Sequence, residues 1–196
     1  MRLTEANKDR TLSAPGIHGV CVPMRAHPED FRRLSLEGEI TGADVCDWPL
    51  TFDELEPYYE EVEEALQIAG PTHYPWGKRR RRYPQREHEL NASAEVFVRG
   101  CTKRGIPVAP APIATLSAPY WDRPPCVYRG FCNYGCTTNA KSSILVTYVP
   151  RAIAAGAGVR ADSMVARIST DARRRVTGVL LFAKGAVSFS GRARGT

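Results

Sequence analysis

The sequence lacks the features that attach a protein to a membrane. No apolar run approaches the roughly 18 residues that a membrane-spanning helix needs, so a transmembrane segment is excluded. The first ten residues, MRLTEANKDR, contain no apolar core of a secretory signal. Arg2 stands where myristoylation needs glycine, and no cysteine lies near the carboxyl end for prenylation. The sequence alone therefore leaves the compartment open, with the cytoplasm as the default.

Signals for hydrolytic and metal chemistry are also sparse. No Gly-x-Ser-x-Gly motif occurs, so a serine hydrolase elbow is absent. Of the four histidines, His27 precedes a proline and is expected to be structural, whereas His73 and His88 lie in polar loops and are expected to be solvated. No histidine follows Cys136, so none near it in sequence could complete a zinc site on that side.

The composition is that of a globular protein with many irregular connections. Of the 196 residues, 43% are hydrophobic and 24% are charged, which excludes a disordered or fibrous chain. Fifteen prolines and sixteen glycines predict frequent turns rather than a helical bundle. The length suits one domain of ordinary size or a piece of something larger.

The net charge of +6 conceals a strong asymmetry between the two parts of the chain. Residues 1–77 carry 6 basic and 15 acidic side chains, whereas residues 78–196 carry 21 basic and 6 acidic ones. Such a pattern is typical of a polyelectrolyte-binding protein, or of two surfaces that complement each other within one fold or a larger assembly. For the run Lys78 to Arg82, a solvated face or a docking patch for an acidic partner is favoured over nucleic-acid recognition, since no nucleic-acid fold motif accompanies it.

Local signals predict a mixed α/β (α+β) chain. Thr51 is a good N-cap with Glu54 as its capping-box partner, and a helical apolar stripe extends to Ala69, where Gly70 and Pro71 stop the helix and Pro57 divides it. A second helix begins at the N-cap Asn91 and ends at Arg104 before Gly105. Residues 106–125 read as an extended, packed loop. A short helix over residues 150–155 precedes two strands, residues 159–168 and 176–182, joined by a turn, and residues 184–196 look frayed.

Three of the six cysteines fall within eleven residues. Cys126, Cys132 and Cys136 are separated by five and then three residues, in a loop that contains two glycines. Spacing alone leaves three interpretations open: an iron–sulfur cluster, for which three thiolates suit a three-iron core, a zinc site with a distant fourth ligand, or a disulfide with one free thiol. The other cysteines, at positions 21, 46 and 101, are scattered, and we expect them to serve packing.

Several stretches resemble a known enzyme family. CNYGCTTNAKSS at residues 132–143, followed by VTYVPRA at 146–152, is similar to the middle of glucose–methanol–choline (GMC) flavoprotein oxidoreductases, in particular the branch that contains the large subunits of gluconate, fructose and FAD-dependent glucose dehydrogenases. The segments 16–31, 47–50 (DWPL) and 55–59 (LEPYY) resemble the flavin-lining loop and the Trp-Pro and Pro-Tyr-Tyr segments of the family. The resemblance covers about residues 14 to 182.

The resemblance implies a chemistry and a set of roles. It implies FAD-dependent oxidation of the CH–OH group of a sugar, sugar acid or other alcohol, with a [3Fe-4S] cluster on Cys126, Cys132 and Cys136 that passes electrons to a cytochrome or small-subunit partner. His18 matches the segment that lines the flavin, and Val165 matches a strand residue whose backbone contacts the adenine. With such a partner, which can carry the export signal, a periplasmic location becomes the alternative.

The resemblance also predicts a division of the chain. Residues 1–142 would hold the flavin-lining loop, the helices of the cap and substrate side and the cysteine loop. Residues 143–183 would hold strands and a helix of the FAD domain, and residues 184–196 a divergent tail. Neither the Gly-x-Gly-x-x-Gly phosphate loop nor the catalytic histidine pair of the family occurs, so we expect a central fragment that is inactive alone and has no catalytic residue.

Two other functions remain open at the level of sequence. A non-catalytic iron–sulfur or interaction module would bind iron without flavin. A small basic nucleic-acid-binding protein would show steeply salt-dependent binding. Lys141, in the run Asn139 to Ser143, is interpreted either as an anion contact or as a solvated or capping lysine.

Overall fold

A computed structural model describes residues 23–76, 79–132, 134–183 and 186–191. The chain consists of two compact units, Met1–Pro150 and Arg151–Thr196. Helices and strands both occur, in agreement with the predicted mixed class. Among these residues, no helix combines the length and the apolar character that crossing a bilayer requires.

The predicted capping box starts the longest helix of the first unit. A 3₁₀ turn, Pro28–Arg32, and the short helix α1 (Arg33–Glu37) precede it. Helix α2 (Phe52–Leu66) begins after Thr51, whose Oγ1 accepts a hydrogen bond from the Glu54 N–H (3.3 Å) while the Glu54 carboxylate accepts one from the Thr51 N–H (2.7 Å). The helix runs unbroken through Pro57, so its predicted division is wrong. Pro57 lies in the second turn, where it removes one N–H donor from the helix. The helix still forms there because its N-terminal cap and its buried face stabilise it.

Helix α2 ends earlier than the sequence predicts. Gln67 adopts the left-handed conformation (φ 53°), which ends the helix after Leu66. Ala69 is therefore not helical. It belongs to the two-residue strand β1 (Ala69–Gly70), which pairs in parallel with β2 (Gln85–Arg86). Because Ile68 and Ala69 are both completely buried, core packing favours an extended backbone here over another helical turn.

The core of the first unit joins α2 to the irregular segments around it. Phe31 packs edge-to-face on Phe52, with ring centroids 6.5 Å apart. Ile68, Tyr83 and Leu116 are buried as well, and Leu116 comes from the proline-rich segment that was expected to be extended and packed. That expectation is confirmed around Leu116, whereas Ile106 (50%) and Trp121 (74%) in the same segment are largely exposed. The cysteine loop emerges directly from this part of the core.

Helix α3 (Ala92–Lys103) forms close to where the sequence places it. The Asn91 side chain accepts a hydrogen bond from the Ala94 N–H (2.9 Å), and Gly105 follows the helix with a positive φ of 66°. The apolar stripe of α3 is only partly covered by described residues: Phe97 is 65% exposed, whereas Ala94, Val98 and Cys101 have intermediate exposure. The helix signal was thus local, in its caps and spacing.

The second unit is dominated by an antiparallel sheet. Helix α4 (Tyr148–Ala154), which spans the boundary between the units, ends before Gly156. Strand β3 (Ser163–Thr170) pairs with β4 (Val176–Ala183) through the predicted turn, in which Asp171 accepts hydrogen bonds from the backbone N–H groups of Arg173 and Arg175.

The expectation of a frayed tail is wrong for residues 186–191. They form β5 (Ala186–Gly191), which pairs antiparallel with β4 and gives the strand order β3-β4-β5. The sequence AVSFSG alternates apolar and small polar residues, a period of two that suits a strand, and pairing with β4 satisfies its backbone groups.

Candidate functional site

The cysteine loop, residues 126–136, is attached at both ends to one extended segment, residues 113–116. At its start the Cys126 N–H donates to the Leu116 carbonyl oxygen (2.9 Å). Just past its end, the Leu116 N–H donates to the Ala140 carbonyl oxygen (2.9 Å). Leu116 and Ala140 are both fully buried. The loop is therefore anchored on the core of its unit rather than hanging free.

The three predicted cysteine ligands line a common concavity. Cys126, Cys132 and Cys136 all contribute to its wall, which encloses about 250 Å³. All three are free thiols of intermediate exposure, so the disulfide alternative is not what this arrangement shows. No set of three potential ligands among the described residues is gathered around a single-ion position. Three free thiols line one cavity, and cysteine thiolates are the ligands that iron–sulfur clusters use.

The Cys136 thiol lies in a network of hydrogen-bond donors. Its sulfur is 3.4 Å from the Thr138 hydroxyl oxygen and accepts a hydrogen bond from the Lys141 backbone N–H (3.4 Å). Burial acts to raise the pKa of Cys136, but the hydrogen bonds from Thr138, Lys141 and Ala140 outweigh it and lower the pKa below its usual value. This position consequently favours the thiolate, which is the form that binds metal.

His88 supports the start of the loop, although the sequence predicted it to be solvated. Its Nε2 lies 2.9 Å from the Thr115 carbonyl oxygen, and its Nδ1 lies 3.2 Å from the Tyr128 hydroxyl. A carbonyl oxygen only accepts hydrogen bonds, so Nε2 carries a proton and donates to Thr115. The Tyr128 backbone N–H in turn donates to the Cys126 sulfur (3.3 Å). The sequence offered no signal for this link, because 40 residues separate the two rings.

Lys141 closes the other end of the loop. The residue is 5% exposed, so the solvated interpretation is wrong. Its Nζ donates to the Cys132 backbone carbonyl oxygen (2.8 Å) while its backbone N–H donates to the Cys136 sulfur. One lysine thus contacts two of the three cysteine positions.

The two residues assigned to the flavin stand differently. His18 lies outside the described residues. Val165 lies on β3, paired with Leu181, and is 54% exposed. Strand β3 is an edge strand of the described sheet, so the backbone N–H and C=O groups that point away from β4 make no hydrogen bond to that strand. Its contact with adenine stays a prediction.

The remaining histidine and cysteine predictions have mixed outcomes. The His27 backbone N–H donates to the Asp30 carboxylate (2.7 Å) at the start of a helical turn, but the residue is exposed, so a structural role for its imidazole stays a prediction. His73 is exposed. Cys46 is also exposed, so the packing role expected for it is wrong.

The arginine run interacts with acidic side chains of its own chain. Arg79 binds the buried carboxylate of Glu63, which also accepts two hydrogen bonds from Arg25 (both 2.9 Å). Arg80 and Arg81 pair with two further acids of α2, Glu56 at 2.8 Å and Glu60 at 3.6 Å. The complementary-surface interpretation of the charge asymmetry therefore holds for these two segments within one fold.

Comparison with known proteins decides the family. The family model described as GMC oxidoreductase matches residues 48–192, which include the cysteine loop and the β3–β4 hairpin. The chain belongs to the GMC oxidoreductase family. The predicted resemblance is confirmed, and the cysteine loop of this GMC chain lies within the matched region.

Three curated relatives illustrate the similarity of this GMC chain. The large subunit of fructose dehydrogenase from Gluconobacter japonicus is 28% identical over 89% of the chain and 33% of its own length. The 6'''-hydroxyparomomycin C oxidase of Streptomyces lividus is 28% identical over 80% of the chain and 29% of its length. The 2-methyl-1,2-propanediol dehydrogenase of Mycolicibacterium austroafricanum is 30% identical over 74% and 26%. The chain thus spans at most about a third of these relatives.

Proposed function

We propose that the protein containing this chain is an FAD-dependent oxidoreductase that acts on a CH–OH group of a sugar, a sugar acid or another alcohol. Support comes from the family and from the names of the relatives, which are dehydrogenases and an oxidase of hydroxylated compounds. When bound, FAD supplies the acceptor for the hydride of the alcohol. The chain would contribute binding surface, with the segment around His18 along the flavin and the outer backbone of β3 at Val165 toward the adenine.

We further propose that Cys126, Cys132 and Cys136 hold a [3Fe-4S] cluster. The observation that carries this proposal is the convergence of three free thiols on one concavity, at a loop whose two ends stand on buried residues. Such a cluster supplies one-electron transfer. The residues of the chain would hold the loop in shape, present the thiolates and limit access of water from the side of the core.

A docked electron acceptor, a cytochrome or a small subunit, is the proposed partner at this loop. One relative is itself named as a large subunit. Three apolar side chains of the concavity are strongly exposed: Val127 at 56%, Phe131 at 61% and Tyr134 at 83%. Exposed apolar side chains beside a pocket are typical of a surface that another protein covers.

The test is a metal and flavin analysis of the chain purified without oxygen. The proposal predicts iron and acid-labile sulfide with broad absorbance near ~400 nm, at about three irons per chain. Replacing Cys132 by alanine should abolish iron binding. Cys46→Ala is the matched control, because it removes an exposed thiol far from the loop in sequence and should leave the iron content unchanged.

Each result has a distinct meaning. Iron that persists in Cys132→Ala, or an iron-free wild-type chain, contradicts the cluster. Zinc in place of iron would assign the loop to a structural site. Iron without flavin would favour a non-catalytic iron–sulfur module, whereas flavin bands in addition to iron would support both halves of the proposal.

A further inference from the structure

A buried arginine beside the cysteine loop has only neutral hydrogen-bond acceptors. Arg123 is 8% exposed. Its Nε donates to the Asn139 carbonyl oxygen (2.9 Å), and its Nη2 donates to the Ala140 carbonyl oxygen (3.2 Å) and to the Ser142 hydroxyl (2.8 Å). Among the described residues, no carboxylate lies within 4 Å of this guanidinium, although five other arginines of the same unit form ion pairs with glutamates.

This arrangement is unusual in energetic terms. A buried charge is costly unless it is paired with an opposite charge as well as hydrogen-bonded. Three neutral oxygens accept hydrogen bonds from Nε and Nη2 of Arg123 without neutralising its charge. The cost of burial implies that negative charge reaches this region from another source.

The cysteine loop can supply such charge through its thiols. Residues 113–143 contain three cations, Arg123, Arg129 and Lys141, and one acid, Asp122. The acceptors of Arg123 lie at residues 139–142, directly after the turn in which the Asn139 N–H donates to the Cys136 carbonyl oxygen (3.2 Å). Burial lowers the pKa of Arg123, and the Cys136 thiolate, followed by the Asp122 carboxylate, acts against this effect.

Lys141 adds a second buried cation to the same loop. It is 5% exposed, and its ammonium group is held at the Cys132 carbonyl oxygen. Its backbone contacts the Cys136 sulfur. Two buried cations therefore lie at the base of the loop whose three thiols line the cavity, although neither cation is itself part of the cavity wall.

We propose that Arg123 and Lys141 are fixed countercharges of the cysteine site, which maintain a positive potential in the concavity and stabilise negative charge there. The consequence for a bound cluster rests on the proposed function: reduction adds negative charge, so the two cations would raise the reduction potential. The potential in the metal-free concavity does not depend on that proposal.

The first experiment needs no variant and no metal. Iodoacetate and iodoacetamide both alkylate a thiolate with loss of iodide, so the ratio of their rates at one cysteine cancels the ionised fraction and reports the local potential. The proposal predicts a ratio several-fold higher at Cys136 than at Cys46, which is exposed and lies between Asp44 and Asp47. Peptide mass spectrometry assigns each site. An equal or lower ratio at Cys136 overturns the proposal.

Variants then separate charge from packing. Arg123→Gln should lower the ratio at Cys136 several-fold, whereas Arg123→Lys should preserve it, because the charge remains while the guanidinium fork is lost. Arg82→Gln is the matched control, since it removes the same charge from an exposed position outside the concavity. A folded Arg123→Gln protein with the wild-type ratio contradicts the proposal. If that variant fails to fold, Lys141→Gln and the wild-type comparison decide.

The loaded protein provides a second readout. In an EPR-monitored redox titration, Arg123→Gln should disfavour one-electron reduction about tenfold, which corresponds to ~59 mV, and Arg82→Gln should not. An unchanged potential in a loaded, folded variant contradicts the second half of the proposal. If the wild-type chain takes up no iron, the cluster proposal fails by itself, and the alkylation ratios still decide whether the countercharges act on the thiols.

Discussion

Glu63 is the side chain on which the acidic helix and the arginine run depend most. Its carboxylate is bound in a fork by Arg25, with both contacts at 2.9 Å, and by Arg79, with contacts of 3.0 and 2.5 Å. The side chains of all three residues are at most 11% exposed. Burial acts to raise the pKa of Glu63, and the hydrogen bonds from the two arginines overcome it, so the pKa lies below its ordinary value. We therefore expect Glu63→Gln to destabilise the fold strongly.

The magnitude follows from what each arginine retains. Removing one partner of a buried ion pair costs about 3–5 kcal/mol, because the other charge stays buried without compensation. Arg25 keeps a contact with Glu56 at 3.3 Å, and Arg79 keeps the face of Tyr83 at 3.6 Å. These contacts offset part of the loss, so we expect a decrease of about 3 kcal/mol in the free energy of unfolding, at the lower end of that range.

Urea unfolding monitored by far-UV circular dichroism measures this change. Glu61→Gln is the matched control, because it makes the same substitution on an exposed face of α2 and should change the unfolding free energy by less than about 0.5 kcal/mol. A Glu63→Gln protein whose unfolding free energy equals that of the Glu61 variant would refute the reasoning, since it would mean that the buried network contributes nothing.

Three further predictions concern the acid unfolding of Glu63→Gln, a glycine of β1, and His88. Because the pKa of Glu63 is lowered, its contribution to stability is complete above the unfolded pKa of about 4.3 and is lost as the pH falls below it, so acid unfolding curves of Glu63→Gln should be flatter than those of the wild type. Gly70→Ala should lower the thermal midpoint, because the new Cβ would lie 2.6 Å from Tyr83 Cε2, and Gly100→Ala, with no atom within 4 Å, should not. His88→Phe should leave the circular dichroism spectrum unchanged but speed alkylation of the Cys126 thiol several-fold; an unchanged rate would deny His88 its role in holding the loop.

Local signals in the sequence predicted most of the elements. The starts of two helices are predicted by cap hydrogen bonds that act within three residues, between Thr51 and Glu54 and between Asn91 and Ala94. The β3–β4 hairpin is equally local, because Asp171 organises the turn by binding backbone groups two and four residues ahead. Where distant packing decided, the predictions failed, as at Ala69, which the core draws into an extended strand.

The same distinction between local signals and distant packing applies to the candidate site. The runs at residues 132–143 and 146–152 indicated the family, and the spacing of Cys126, Cys132 and Cys136 raised a shared cluster as one of three interpretations, since both are properties of the chain itself. The partners that shape the loop were invisible in sequence: His88 looked like a solvated histidine, and nothing marked Arg123 as buried.

The sequence by itself determined the helix starts, the hairpin turn, the cysteine cluster and the family resemblance, because each depends on residues close together in the chain. Only the tertiary structure decided which charges are buried and what they face. Glu63 and Arg79 are 16 residues apart, and Arg123 and Ser142 are 19 apart. These residues meet because distant segments pack together, and the sequence of each segment alone does not predict the contact. Burial makes such charges costly to leave without compensation, which is why we expect the Glu63 network to contribute strongly to stability.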